Sequence, residues 1–155
     1  MTMEEIMKYL DEAENNYFKL LVIPEDCKER DDIVKFLESR GWNRLDVAKE
    51  VVRIAETIPE DKKRLRLSIE LEKWLSNLSG DRYIFENMAV LFSPELGKID
   101  PIRLFKYRFS RERRVVLIFP GHIKGEKAEY SLEGRPDHMI MDVSEVICYP
   151  TKGGR

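Results

Sequence analysis

The chain has 155 residues, the length of about one domain, and its 43% hydrophobic content with 10% aromatics excludes a disordered polypeptide. At this size a fold buries roughly 70% of the surface its unfolded chain exposes, so a core forms without disulfides or metal. The 27 Lys and Arg nearly cancel 29 Asp and Glu for a net charge of −2, which excludes a globally basic protein that coats nucleic acid by bulk charge and leaves room only for a local patch.

Thr2 and Glu5 have capping-box spacing, and Met3, Ile6, Met7, Leu10 and Ala13 recur at helical spacing up to Asn15-Asn16. This predicts an amphipathic helix within residues 1–16. The run from Tyr17 to Ile23 is short, apolar and closed by Pro24, as expected of a strand covered on both faces. Ile33, Val34 and Leu37 fall on one side of a charged helix that Gly41 ends, and Trp42 to Asp46 has the length of a short edge strand. Val47, Val51, Ile54, Ala55 and Ile58 form a helical stripe that stops at Pro59, and Leu67, Leu71, Trp74, Leu75 and Leu78 form another before Gly80. Helices are therefore expected over about 48–57 and 63–78.

Arg82 to Phe92 opens as a buried strand, followed by a loop at Ser93-Pro94 and Gly97. Asp100-Pro101 reads as an N-cap followed by proline at the first helical position, opening a helix to about Phe109. Arg114 to Phe119 carries four consecutive large apolar residues and is closed by Pro120-Gly121, which predicts another buried strand. Within a C-terminal portion spanning 123–150, two short strands are expected at 126–132 and 143–149, around the turn-rich Gly134-Arg135-Pro136-Asp137. Strands alternating with helices through residue 120 predict a single α/β domain over 1–155 with a mostly parallel sheet flanked by helices. Cys27 and Cys148 are too few for a disulfide framework. The acidic start MTMEEIMKYLDEAEN is unlike a secretory signal, and no run approaches ~18 apolar residues. The expected location is the cytoplasm, with reduced thiols and no membrane partner.

In sheets of this kind ligands sit beyond the carboxyl ends of the strands, which directs attention to Pro24 to Arg30, to Glu86-Asn87 and to the rim Pro120, Gly121 and His122. Phosphate binding after the first strand needs glycines that let backbone N–H groups wrap the anion, and a lysine followed by Ser or Thr. The stretch from Tyr17 to Arg40 contains no glycine and sets Glu25, Asp26, Glu29, Asp31 and Asp32 where a triphosphate would approach, so like charges repel it. Glu86 has the position of a metal-holding acid, or of a carboxylate that caps a helix or pairs with an arginine; Ala89 and Val90 supply no second acid. His122, His138, Cys27 and Cys148 are the only soft ligands and their spacing brings none together, so no metal and no cofactor is expected. Without a G-x-S-x-G turn, nucleophilic hydrolysis has no sequence support either, and no catalytic residue is assigned. Arg103, Lys106, Arg108, Arg111, Arg113 and Arg114 interleave with Phe105, Tyr107 and Phe109. Such a segment can pair phosphates and stack bases, or it is the solvated back of a helix whose core face is Ile102, Phe105 and Phe109. Either way its exposed arginines suit an acidic partner.

Glu86-Asn87, Leu91-Phe92-Ser93-Pro94-Glu95-Leu96, Asp100-Pro101-Ile102-Arg103-Leu104, the arginines from Arg111 to Arg114, and Phe119-Pro120-Gly121 follow in a telling order. That order resembles the small P-loop-containing BrxF proteins of type 3 BREX phage-exclusion systems, best over 82–122 and extending over 17–150. The resemblance implies a P-loop NTPase-like architecture. The chain departs from it where the phosphate loop belongs, at Ile23 to Arg30, at the Walker B position, which is Glu86, and at a following acid position, which is Ala89. These departures imply a degenerate nucleotide site and a non-catalytic accessory or assembly subunit of a BREX-like antiphage defence system. Its partners would be a PglZ-like protein or the large ATPase of that system. A nucleic-acid-binding module that uses segment 103–114 on DNA is the alternative, and a nucleotide-binding ATPase a third.

Overall fold

The computed structural model describes residues 3–149; Thr2, the expected helix cap, lies outside them. The chain runs through α1 (Met3–Glu14), β1 (Leu20–Pro24), α2 (Arg30–Ser39), β2 (Asn43–Asp46), α3 (Val47–Ala55), α4 (Lys63–Asn77) and β3 (Arg82–Glu86). Two short 3-10 turns, Ala89–Phe92 and Pro94–Leu96, lead to α5 (Pro101–Arg108) and β4 (Arg114–Phe119). The chain ends in β5 (His122–Lys124), β6 (Lys127–Tyr130), β7 (Met139–Asp142) and β8 (Ile147–Cys148). The architecture is α/β, with a five-stranded sheet in the order β2-β3-β4-β1-β8 and a three-stranded sheet in the order β5-β6-β7.

Every neighbouring pair in the larger sheet is parallel, with Leu20 opposite Val115, Pro24 opposite Phe119, Tyr83 opposite Val115 and Leu21 opposite Ile147. Strands buried on both faces read as unbroken apolar runs, and the two faces divide those runs by parity. Leu20 and Val22 of β1 with Val115, Leu117 and Phe119 of β4 face α3, α4 and α5 through Val51, Leu67, Leu71, Ile102 and Phe105. Leu21, Ile23, Val116 and Ile118 face α1 and α2 through Ile6, Ala13, Ile33, Val34 and Leu37. Asp46 and Asp100 cap α3 and α5, their carboxylates accepting from the N–H groups of Lys49 and Arg103 at 3.1 Å each.

The C-terminal portion holds more strand than the sequence showed. β6 and β8 lie inside the two expected segments, and β5 and β7 are additional. Both are three or four residues long, and only Met141 among their side chains is buried, so no apolar run marks them. Ala128 and Met141 join the core on the α5 side, and the Tyr130 ring stacks on Phe92 at 4.0 Å. Gly121 permits the entry into β5, because a Cβ there would fall on the Glu129 carbonyl oxygen. No helix among the described residues is long and apolar enough to cross a membrane.

Candidate functional site

The carboxyl ends of β1 and β4 lie side by side, and from there the chain leaves β1 for one sheet edge and β4 for the other side of β1. This switch point is where an open α/β sheet places a ligand crevice. Three amides in and after the β1 turn are spent on backbone carbonyls. Glu25 donates its N–H to the Phe119 carbonyl at 2.7 Å, Cys27 to Pro24 at 3.1 Å and Arg30 to Cys27 at 3.0 Å. Glu29 precedes α2 without a side-chain cap, and its carboxylate accepts the Cys27 thiol hydrogen at 3.1 Å. Burial, then that carboxylate, pushes the Cys27 thiol up from its ordinary value. Glu25, Asp26, Asp31 and Asp32 are exposed around the turn. The positive end of α2 is already complemented by its own first-turn acids, Asp31 and Asp32.

At the end of β3, Glu86 is gripped by Arg44 of β2, with Nε to Oε2 at 2.6 Å and Nη2 to Oε1 at 3.1 Å. Two parallel bonds are the strong geometry for a guanidinium and a carboxylate, and they raise the Arg44 pKa above its ordinary value. Asn87 takes a left-handed φ of 59°. Its side-chain amide donates to Asp46 at 3.1 Å, and its carbonyl accepts from the Ala48 N–H at 3.0 Å. Both members of the acid-Asn pair are therefore engaged by β2 and the start of α3. Of the readings open to Glu86, arginine pairing is the one the geometry takes. After β4, Pro120 and Gly121 are half-buried and His122 is exposed. His138 is elsewhere, with its Nε2 2.6 Å from Glu129 Oε2. Among the described residues no group of three or more His, Cys, Asp or Glu is arranged to hold a metal ion.

The basic residues of 103–114 do not form one face. Lys106 is only 4% exposed; its ammonium donates to Glu145 at 2.8 Å and lies over the Tyr107 ring at 4.7 Å and the Phe18 ring at 5.2 Å. Burial works most strongly against its charge, but its interactions with Glu145 and Tyr107 together outweigh it and its pKa lies above the ordinary value. Arg114 opens β4 and binds Glu14 at 2.5 Å and Asp81 at 3.0 Å, tying α1 to the sheet. Its guanidinium holds the Glu14 carboxyl below the usual range. Arg113 lies over Phe109 at 4.5 Å and donates to the Leu75 carbonyl at 3.3 Å, and Arg111 lies over Tyr17 at 5.2 Å. Arg103 and Arg108 are exposed on α5 and border a groove of about 600 Å³ with Tyr107, opposite Arg64, Ser68 and Glu72 of α4. Arg64 and Ser68 went unmarked in the sequence, where they sit in a charged helix of ordinary appearance. Comparison with protein families, curated proteins and solved structures finds no match for this chain.

Proposed function

We propose that this chain is a degenerate P-loop NTPase-like domain that works by association, as a non-catalytic accessory or assembly subunit of a BREX-like antiphage defence system. One observation carries the reading: the turn after β1, at the switch point where a phosphate would be cradled, has no glycine, commits its Glu25, Cys27 and Arg30 amides to backbone carbonyls and crowds them with acids. A triphosphate there would meet five acids, Glu25, Asp26, Glu29, Asp31 and Asp32, against Lys28 and Arg30. Glu86, at the Walker B position, is neutralised by Arg44 and so is poorly disposed to hold a metal ion. The placement of β1 between β4 and β8 supports the architectural half of the reading, and the order of features over 82–122 supports the setting.

Association also has a candidate face. Leu65 and Ile69, 77% and 51% exposed, stand one turn apart on the outer side of α4, and we take this pair as the candidate contact. Calorimetric titration with ATP and Mg²⁺ tests the negative half: no binding is expected, and micromolar affinity overturns it. Mixing the purified chain with a PglZ-like protein and with the large ATPase of such a system tests the positive half. Co-elution with one of them, lost on changing Leu65 and Ile69 to Asp, is the expected result, and failure to co-elute with either removes the docking role.

A further inference from the structure

The groove between α4 and α5 is built rather than incidental. Gly97, at φ +95°, brings the loop before α5 onto the α4 backbone, where a Cβ would stand 2.9 Å from the Arg64 carbonyl oxygen. The same loop delivers Asp100, whose carboxylate accepts the Arg103 N–H and fixes the start of α5. Each wall therefore presents its arginine from a braced backbone. Salt bridges engage neither Arg64 nor Arg103 among the described residues, and Arg108 shares one carboxylate, Glu72, at 3.3 Å. The other acid in the groove, Asp100, is committed to its cap, and burial raises its pKa. The groove is thus positive although the chain as a whole is slightly acidic.

It also continues. A second hollow of about 320 Å³ shares Tyr107 and Arg108 with the first and adds Arg111 and Arg113, with Glu112 as its one acid. A lane of arginines that passes from one concavity to the next fits an extended polyanion better than a single small anion. Tyr107 is 49% exposed at its middle and Tyr17, 63% exposed, lies beside Arg111. Aromatic rings interleaved with arginines are the surface on which single strands stack their bases while the backbone is neutralised; an acidic peptide would leave the rings unused. A duplex is read by convex elements that enter its grooves, and this surface is concave.

We propose that the α4–α5 groove is a binding lane for single-stranded nucleic acid, with Arg64, Arg103 and Arg108 on phosphates and Tyr107 against a base. This stands independently of the docking role. The test is fluorescence anisotropy of labelled oligothymidylate with the full chain, with an unlabelled DNA duplex and a decaglutamate peptide as competitors. Binding is expected, with a slope of about −2 in log affinity against log salt for three phosphate contacts to a single strand. Changing Arg64 and Arg103 together to Gln is expected to weaken it about tenfold or more. Tyr107→Leu weakens it and Tyr107→Phe does not, while Lys35→Glu, on α2 across the sheet, leaves it unchanged. The assignment is overturned by absence of binding at low salt, by an equal loss in Lys35→Glu, or by decaglutamate competing as well as unlabelled oligothymidylate. It is also overturned if the duplex competes better than the single strand.

Discussion

Lys106 is the deepest cation among the described residues, and its energetics differ from those of the arginines around it. A buried ion pair sacrifices hydration that its mutual attraction only partly restores, and here Glu145 keeps 55% of its side-chain surface in water. Lys106→Met is therefore expected to leave stability within about 1 kcal/mol of the parent, whereas Lys106→Glu, which buries an acid beside Glu145, costs about 3 kcal/mol or more. Urea denaturation of the two variants separates them. Cys148 offers a pH test at the same scale. Burial pushes its thiol from 9.0 up to about 12, so between those values the unfolded chain has released a proton that the folded chain retains. Its contribution to stability is complete below pH 9 and declines as pH rises toward 12. A thiol reagent at pH 8 should accordingly modify Cys148 slowly in the native protein and quickly in urea. Rapid modification of the folded chain would contradict the burial that raises the Cys148 pKa.

Among the elements, β3 is tied to the helices above it chiefly by one side chain. Phe85 meets Phe105 at 4.5 Å, Tyr83 at 5.6 Å, Phe109 at 5.5 Å and Trp74 at 6.1 Å, so it joins the sheet to both α4 and α5. Phe85→Ala is expected to cost about 3–5 kcal/mol, read from the shift of a denaturation midpoint. α1 depends on a different kind of link, since Arg114 joins its last turn to Asp81 through exposed carboxylates. Exposed ion pairs add little to global stability, so Arg114→Ala should barely move the midpoint. It should instead raise amide exchange in α1 while α5 is unchanged. The longer elements were legible because burial on both faces leaves an unbroken apolar run, as in Arg114 to Phe119, and burial of one helical stripe leaves a repeat, as in Val47 to Ile58. β5 and β7 were not legible, because three or four residues with a single buried side chain repeat nothing. Their register comes from pairing to β6, with Ala128 opposite both Ile123 and Met141.

At the scale of the molecule, what the sequence conveyed about function was mostly a deficiency. The missing glycines after β1 were visible as composition, and the structure adds that the Glu25, Cys27 and Arg30 amides are occupied. Where Glu86 finds its counter-charge was not readable, since Arg44 lies far away in the chain and reaches it only because β2 pairs with β3 in register. The basic segment 103–114 read as one patch along the chain, but the helix turns Lys106 inward while Arg103 and Arg108 face out, and Arg64 enters from another helix. Side chains that share a surface by folding alone leave no linear signature.

The sheet order also has a consequence for synthesis. β1 is made before both of its neighbours, β4 and β8, which are drawn from residues 114–119 and 147–148. Until Arg114 to Phe119 has been made, Leu20 to Ile23 has no strand to lie against, and an apolar segment with unpaired edges is a template for pairing with other chains. Nascent chains halted before Arg114 should be retained by holding chaperones and cut readily by protease, and those long enough to free Cys148 should escape both.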